Sequence, residues 1–277
     1  MPKVSVLTPI YRSNPDYLRQ MIESVLNQTF PDFEFILLND SPDDKNLKRI
    51  VESYQDNRII YAENEYNLGI SASRNKLLDM ARGEYLAICD HDDISVPTRF
   101  EQQVNFLDAH KDIGVVSGQI HYMHCKETTK HPVRNKEIKP ALLLGCLIAH
   151  PAAMIRKNIL LKNGINWDEN YSPCEDYKLW ADLIDKTLFH NIDGILLEYR
   201  DAPNNTTHLQ QEKMQEKSCQ IQHIISKCHA WIKQWKTVQK RYCLFGVPLL
   251  KTVSSRKKMT FYLFSFIPFF KIKKTRR

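Results

Sequence analysis

The sequence predicts an α/β protein whose core is a doubly wound, mostly parallel sheet. Short apolar runs alternate with segments of helical period from residue 4 to about residue 121, which is typical of successive βαβ units. Three of these runs lead into polar residues, at Thr8-Pro9, at Asn39-Asp40 and at residues 90–93. Because ligands of such sheets bind beyond the carboxyl ends of the strands, the pattern also predicts one ligand site at that edge.

The elements of this first half follow from the apolar runs and from the spacing of apolar residues. The runs at 33–38 and 84–89 are apolar except for one glutamate in each, as in strands that are buried on both faces. The helical segments repeat apolar residues three and four positions apart; Leu47, Ile50 and Val51 share one face in this way. In order, we expect a strand at 4–8, a helix at 15–28, a strand at 33–38, a helix at 43–54, a strand at 58–61, a helix at 70–81, a strand at 85–89, a helix at 99–110 and a strand at 115–121.

From about residue 122 the pattern is looser. An apolar stretch at 141–148 precedes His150-Pro151, and a bulky Trp180 lies in a segment of helical period. We expect a short strand at 154–155, a helix at 175–185, a strand at 195–199, a polar turn at 201–207 and one long helix at 210–235.

Charge divides the chain into an acidic body and a basic tail. The net charge is +7, but residues 1–216 hold 24 Lys and Arg against 32 Asp and Glu, a net charge of −8. Residues 217–277 hold 15 Lys and Arg and no acidic residue, a net charge of +15. Such asymmetry predicts a tail that seeks an anionic surface.

The tail also contains an internal repeat. Residues 242–251 and 262–271 align at an offset of 20 positions, each with apolar residues around a proline and a closing lysine. These segments are too short to cross a bilayer, but aromatic residues with basic flanks suit the headgroup region. We therefore expect contact with an anionic membrane; the alternative is that the apolar residues pack on the rest of the chain. No recognisable nucleic-acid-binding module is present.

Several classes are disfavoured by what the sequence lacks. The N-terminal residues form no apolar signal region, and no apolar run reaches the 18 residues of a membrane span. The seven cysteines include no Cys-x-x-Cys pair, and we expect them to be reduced thiols in a cytosol. No Gly-x-Gly-x-x-Gly follows the first strand and no Walker A loop is found, which argues against a dinucleotide dehydrogenase and a P-loop kinase.

The acidic cluster Asp90-His91-Asp92-Asp93 is the strongest local signal. Three carboxylates that close repel each other unless a cation is present. Mg²⁺ or Mn²⁺ prefers oxygen ligands and leaves coordination positions for phosphate, so the cluster predicts a metal site that meets a phosphorylated ligand. The alternative is an acidic loop ahead of the next helix.

Taken together, seven segments resemble the family-2 inverting glycosyltransferases of the GT-A fold, which include bacterial lipopolysaccharide, capsule and O-antigen sugar transferases. They cover roughly residues 4–200 in the order found in that family. The segments are Val4-Ser-Val-Leu-Thr-Pro-Ile-Tyr11, Leu26-Asn-Gln-Thr-Phe30, Ile36-Leu-Leu-Asn-Asp40-Ser41, Asn67-Leu-Gly-Ile-Ser-Ala-Ser-Arg74-Asn75, Asp90-His-Asp-Asp93, His150-Pro151 and Cys174-Glu175-Asp176-Tyr-Lys-Leu-Trp180.

The resemblance implies a nucleotide-sugar site at the strand ends. Asp40 would accept a hydrogen bond from the uracil N–H. Alternatively, it could form a turn or serve as a helix N-cap ahead of Asp43. Arg74, on the helix after Asn67, would reach the nucleotide and its diphosphate, although it could instead form a surface salt bridge. The implied nucleotide-sugar residues are Thr8, Pro9 and Tyr11 around the base, with Asp40, Asn67, Arg74 and Asp90.

The resemblance also implies a Mn²⁺ or Mg²⁺ cofactor at the Asp-x-Asp motif. Asp92 would be the chief ligand, with Asp90 directed toward the ribose or the metal. Asp93 would be a ligand or a support for one. His208 would close the site, or would simply be a surface histidine near a helix start.

Asp176 is the implied general base. It would take a proton from the acceptor hydroxyl as that oxygen attacks the anomeric carbon from the face opposite the diphosphate. Glu175 and His150 would position the acceptor. The alternative is that Glu175 and Asp176 only interact with the dipole of the helix they begin.

The leading hypothesis is therefore an inverting, metal-dependent enzyme that moves one sugar from a UDP-sugar to a lipid-linked or oligosaccharide acceptor of a bacterial surface glycan. Its catalytic domain would span 1–208, with a nucleotide-sugar half at 1–121 and an acceptor half at 122–208. A helix and basic, aromatic tail at 209–277 would hold it on the cytosolic face of the inner membrane. The alternatives are an inactive sugar-nucleotide-binding or membrane-scaffold protein, and a nucleotidyltransferase.

Overall fold

The computed structural model describes residues 1–125, 127–202 and 205–228, together with the backbone of residues 238–244, 247–254, 258–263 and 267–273. The chain forms two compact units, residues 1–223 and 224–277. The predicted catalytic domain, residues 1–208, ends within the first unit.

The first unit is built on an eight-stranded sheet of order β3-β2-β1-β4-β7-β6-β8-β5. Its strands are β1 (Val4–Ile10), β2 (Phe33–Asn39), β3 (Ile59–Glu63), β4 (Tyr85–Ile88), β5 (Ile94–Ser95), β6 (Ile113–Tyr122), β7 (Met154–Arg156) and β8 (Leu188–Tyr199). The helices along the chain are α1 (Pro15–Leu26), α2 (Lys45–Glu52), α3 (Ile70–Met80), α4 (Arg99–Ala109), α5 (Asn135–Ala141), α6 (Lys157–Asn163), α7 (Glu175–Leu183), α8 (Thr206–Leu209) and α9 (Gln211–Cys228). Single 3-10 turns lie at His150–Ala152 and Glu169–Tyr171.

The predicted parallel core is confirmed. β3, β2, β1 and β4 are adjacent and parallel, and every residue of β1 and β2 is buried. This burial on both faces explains why most residues of those strands are apolar, without a regular alternation of polar and apolar positions. Antiparallel β7 joins this group to β6, which pairs in parallel with β8, so the sheet is mixed but mostly parallel. β5, α5, α6 and α8 were not predicted, because β5 has two residues and the three helices span at most two turns, too short to show a helical period.

β1 runs further than expected, through Pro9 to Ile10. The Leu7 carbonyl accepts from the Cys89 N–H at 3.1 Å, so position 9, two residues on, faces the same neighbour, β4. The pairing of β1 with β4 stops at Leu7 and Ile88. A proline, which has no N–H, therefore fits at position 9 without the loss of a ladder hydrogen bond.

Local signals fix the helix starts that follow these strands. The Asn14 side chain accepts from two backbone N–H groups of the first turn of α1, and Pro15 is its first residue. Asp44 caps α2. Gly69 precedes α3 with φ of 85°, a backbone conformation that favours glycine. Each helix start thus lies at the edge where the parallel strands end.

In the second unit the described backbone forms four strands, β9 (Val238–Leu244), β10 (Val247–Ser254), β11 (Lys258–Leu263) and β12 (Ile267–Lys273). They make one antiparallel sheet of order β12-β11-β10-β9. Each copy of the repeat covers the end of one strand and the start of the next. No strands were predicted for residues 238–273, although the aromatic and β-branched residues of this segment favour strands.

The expected helix at 210–235 is helical as α9 up to Cys228, and residues 229–237 lie outside the described part of the chain. Across the described residues, none of the helices is both long enough and apolar enough to cross a membrane.

Candidate active site

The strand order brings the predicted polar segments together. β2, β1 and β4 are neighbours, with Ile10 opposite Asn39 and Leu7 opposite Ile88. Residues 8–11, Asp40 and the acidic cluster therefore lie at one edge of the sheet, as the sequence predicted.

Asp40 at this edge is buried and already has partners. Its Oδ1 accepts from Asn64 Nδ2 at 2.7 Å and from the Leu68 N–H at 2.8 Å, and its Oδ2 accepts from the Gly69 N–H at 2.9 Å. The carboxylate thus holds the loop that precedes α3. The alternative had placed it as a cap at the start of α2. Asn64 also bonds Ser73 and Lys76. Sequence reasoning missed Asn64, although it directly follows β3 and the rule about strand ends applied to it.

The three residues expected around the base, and Asn67 of the same nucleotide-sugar site, differ in exposure to solvent. Thr8 and Pro9 are buried inside β1, and among the described residues Thr8 Oγ1 finds no hydrogen-bond partner. Tyr11 is 44% exposed and Asn67 is exposed. Only Tyr11 and Asn67 of this set present an open surface in the structure.

The acidic cluster is strained electrostatically. Asp93 is 2% exposed; its Oδ1 accepts from the Arg200 N–H at 2.8 Å, whereas its Oδ2 has no partner among the described residues. Burial, together with the charges of Asp92 and Asp90, raises the pKa of Asp93 well above its usual range. Burial also raises the pKa of Asp92, with a further contribution from Asp90. The raised pKa values indicate that nearby cations do not fully balance the negative charge of the cluster.

A cation shared with a diphosphate fits this donor set. Within the described ranges, no three His, Cys, Asp or Glu side chains come together to hold a metal ion by themselves. Mg²⁺ in phosphate-binding sites is usually held by one or two carboxylates, and the phosphates supply further oxygens. Asp92 and Asp90 match that pattern, and the orphaned oxygen of Asp93 lies beside them in the chain. His208 is exposed and its Nε2 lies 2.5 Å from Asp201 Oδ1, so the structure gives it an acidic partner outside the cluster.

Arg200 is a site residue that sequence reasoning missed. Its Nε donates to the Asp92 carbonyl at 2.9 Å and its Nη2 to Gln20 at 2.7 Å, while the guanidinium lies 3.9 Å from the Tyr17 ring centroid. Its position directly after β8 was the available signal, since a predicted strand ended there. Arg200 brings one positive charge to the acidic cluster.

We expect Asp93→Asn to melt about 2–4 °C above the wild type at pH 8 in EDTA, equivalent to about 1 kcal/mol. A carboxyl with a raised pKa in the folded state stabilises the fold at low pH, and that stability is lost as pH rises from about 3.9 through the folded-state pKa. Asparagine removes the charge and keeps an oxygen for the Arg200 N–H. Thermal unfolding at pH 5 and pH 8 measures the effect; a variant less stable than the wild type at pH 8 would contradict it.

Arg74 does not lie on the surface, contrary to the alternative reading. Its side chain is 6% exposed; Nη1 donates to Glu175 Oε1 at 2.7 Å and Nη2 to Asp90 Oδ1 at 2.9 Å. Both terminal nitrogens therefore donate to carboxylates of the protein, whereas the buried Nε has no partner among the described residues. Burial lowers the pKa of Arg74, but Asp90, Glu175 and Asp176 outweigh it and the net shift is upward.

Asp176 has the environment of a base. Its Oδ1 accepts from the Tyr177 N–H at 2.6 Å, and among the described residues its Oδ2 has only the Cys146 thiol, 3.8 Å away. Burial, followed by the charge of Glu175, raises the pKa of Asp176 to about 6. Oδ2 is thus the oxygen with room for a proton. Glu175 Oε2 is also buried and unpartnered within the described chain.

His150 lies inside the wall of the site, not at its surface. It is 4% exposed, its Nε2 accepts from Trp167 Nε1 at 3.0 Å, and its ring centroid lies 5.7 Å from that of Trp180. Burial and the nearby charge of Arg74 lower the pKa of His150 well below its usual range. His150 is therefore a neutral packing group that supports Trp167.

Comparison with known proteins decides the family. The family model for Glycosyl transferase family 2 matches residues 5–164, which include the first three strand ends of the site and His150. The chain belongs to glycosyltransferase family 2. The predicted family and the predicted glycosyltransferase activity are thereby confirmed, and the nucleotidyltransferase and scaffold alternatives lose their support.

Relatives of this family-2 enzyme agree. MJ1057 of Methanocaldococcus jannaschii, an uncharacterized glycosyltransferase, is 37% identical over 223 residues, which are 78% of this chain and 76% of MJ1057. The minor teichoic acid biosynthesis protein GgaB of Bacillus subtilis is 36% identical over 186 residues; the match covers 63% of this chain but only 20% of GgaB.

Among solved structures, S. aureus TarS in complex with UDP-GlcNAc superposes with a TM-score of 0.68 and 21% identity. The match covers 81% of the family-2 chain and 67% of the TarS chain. This likeness is one of fold, and it agrees with the predicted GT-A sheet.

Proposed function

We propose that this enzyme moves one sugar from a UDP-sugar, a UDP-hexose or UDP-HexNAc, to a hydroxyl of a surface glycan, with inversion and with a divalent cation. The observation that carries the proposal is the linked acid set at the sheet edge, in which Arg74 joins Asp90 of the acidic cluster to Glu175, the neighbour of Asp176. The UDP-GlcNAc in the TarS complex supports the donor class. The teichoic acid role in the name of GgaB supports an acceptor of the cell-surface polymer class, for which we propose the lipopolysaccharide, lipooligosaccharide or capsule type.

The donor would lie across the ends of β2, β1 and β4. Asp40 Oδ2 accepts one hydrogen bond within the protein, and a carboxylate oxygen has capacity for a second, here from the uracil N–H. Tyr11 and Asn67 are exposed beside this edge and would contact the nucleotide. Asp90 is half-buried and would face the ribose or the cation.

Asp92 and Asp90 would hold the cation, with Asp93 in support; a further contact from His208 would require it to leave Asp201. When bound, Mn²⁺ or Mg²⁺ would neutralise the charge that develops on the departing diphosphate. The protein's own contribution is to hold these carboxylates at the strand ends and to bring Arg200 beside them.

At the acceptor end, Asp176 Oδ2 would remove the proton of the acceptor hydroxyl. The acceptor oxygen then forms a bond to the anomeric carbon, while the bond from this carbon to the diphosphate oxygen breaks on the opposite face. One in-line displacement inverts the configuration. Glu175 Oε2, which has no partner in the described part of the chain, would accept a second hydrogen bond from the acceptor, and this bond would fix the acceptor's approach.

A pH dependence follows from Asp176. The base acts as a carboxylate, and its pKa is about 6, so kcat/KM should rise as pH increases through about 6 and then level off. UDP release measured from pH 5 to pH 8 at saturating Mn²⁺ tests this. Activity that falls over the same range would contradict the assignment.

The basic tail would bind the anionic cytosolic face of the inner membrane, where lipid-linked acceptors lie. Each Lys or Arg near such a surface contributes about 1 kcal/mol of attraction. We expect removal of residues 236–277 to release the enzyme from vesicles with anionic lipid in a sedimentation assay and to leave activity on a soluble acceptor. Unchanged binding to these vesicles would contradict the membrane role.

The direct test of the proposed function is UDP release from a panel of UDP-sugars with Mn²⁺ and then with EDTA. We expect one donor to give UDP in the absence of acceptor, and EDTA to stop the release. The proposal would be wrong if no donor were hydrolysed and if UDP with Mn²⁺ left the melting temperature unchanged.

A further inference from the structure

Arg74 connects two carboxylates that lie far apart in the chain. Asp90, which follows β4, is 16 positions from Arg74 in sequence, and Glu175, which begins α7, is 101 positions away. The side chains of Arg74 and Glu175 are 6% and 8% exposed. One guanidinium therefore spans from the acidic cluster to the residue next to the proposed base.

The chemistry of arginine makes this connection rigid. The guanidinium is planar and always charged, and its nitrogens form a fixed fork, so two carboxylates bound to its two terminal nitrogens are held at a set separation. Each carboxylate gives only one oxygen to Arg74, Asp90 Oδ1 and Glu175 Oε1. The second oxygen of each is left for other contacts, and Glu175 Oε2 has none among the described residues.

We propose that Arg74 is a positioning residue that joins the donor half of the site to the acceptor half, and that it is not a ligand of the nucleotide. The inference rests on the proposed function for the meaning of the two halves. Arg74 holds Asp90 where the donor arrives and Glu175 where the acceptor arrives, so the two substrates meet in one fixed frame. A 1 Å error in that frame can cost about 10²-fold in rate.

Removal of one partner from a buried ion pair leaves the other charge uncompensated, which is strongly destabilising. Arg74→Met leaves the buried charge of Glu175 without its ion-pair partner, whereas the added Glu175→Gln substitution removes that charge. We therefore expect the double variant to melt at a higher temperature than Arg74→Met alone, although a second residue has been changed. This readout needs no substrate, so it tests the connection even where no donor is turned over.

Kinetics and binding give the second test, with Arg74→Met, Arg74→Lys, Glu175→Gln and the Arg74→Met/Glu175→Gln pair. We expect the dissociation constant of UDP with Mn²⁺ to stay within about 3-fold of wild type in all four variants. The rate of UDP release should fall by about 10²-fold in Arg74→Met and in Glu175→Gln, and the pair should be no more than about 3-fold slower than the slower single variant. Arg74→Lys keeps the charge but not the fork; it should fold as the wild type does and still lose about 10-fold or more in rate.

Arg82→Met is the matched control. Arg82 Nη2 lies 2.6 Å from Glu34 Oε2, at the opposite edge of the sheet where β2 begins, so this variant should leave both the release rate and the UDP affinity unchanged.

The inference would be overturned by UDP binding that weakens about 10-fold or more in Arg74→Met, which would make Arg74 a nucleotide ligand. Multiplicative rate losses in the pair, or a double variant that melts below Arg74→Met, would equally overturn it. A wild type that hydrolyses no UDP-sugar would count against the proposed function, and the melting comparison would still decide the connection.

Discussion

Asp176→Asn is expected to lower the rate of sugar transfer by about 10²–10⁴-fold, the usual contribution of a positioned general base. Asparagine keeps an oxygen for the Tyr177 N–H, which Asp176 Oδ1 accepts at 2.6 Å, so the start of α7 should be preserved. The amide cannot take a proton at the position of Oδ2. UDP affinity should stay within about 3-fold, because the loss is confined to the transition state.

Asp182→Asn, the same change at the other end of α7, is the matched control. Asp182 pairs with Lys178 at 2.6 Å, and this exchange should leave transfer unchanged. An Asp176→Asn enzyme with full activity would remove Asp176 from the chemistry, and equal losses in both variants would indicate damage to the helix.

Asp92→Ala is expected to have a comparably large effect, by a different route. The variant should lose about 10²-fold or more in rate, since a cation at a developing oxyanion is worth several kcal/mol and each 1.36 kcal/mol is tenfold. It should also lose the dependence of UDP binding on Mn²⁺, which Asp176→Asn should keep. Calorimetric titration of UDP with and without Mn²⁺ separates the two variants.

The control for Asp92→Ala is Asp193→Ala, which changes an exposed acid in β8. We expect it to bind UDP and Mn²⁺ as the wild type does. If Asp92→Ala retained the Mn²⁺ dependence of UDP binding, the acidic cluster would not be the metal site.

The parts of the site that sequence could predict are those set by strand ends. Asp40 and the acidic cluster each follow an apolar run, and in parallel neighbours such runs end at one edge. The proposed base, Asp176, came from the resemblance to the family; the local pattern showed only that Glu175 and Asp176 begin a helix whose period is visible in the sequence. Even Asn64 and Arg200, which were missed, stand directly after strands.

The parts that sequence could not predict depend on contacts between distant segments. Nothing near Arg74 in the chain indicates that its guanidinium would be taken by Glu175, 101 positions away. The resemblance to the family placed His150 beside the acceptor pocket, and in the fold Trp167 and Trp180 enclose it. Burial of this kind is a property of packing, so local pattern carries no signal for it.

The proposed reaction is a single displacement in which Asp176 activates the attacking oxygen. With water in place of the acceptor, time-resolved proton NMR of UDP-sugar hydrolysis reads the stereochemistry of that step before the product mutarotates. The sugar of UDP-GlcNAc and related donors is in the α configuration, so an inverting displacement predicts that the β anomer appears first and that Asp176→Asn slows its formation by about 10²–10⁴-fold. The α anomer as first product would contradict the inverting mechanism.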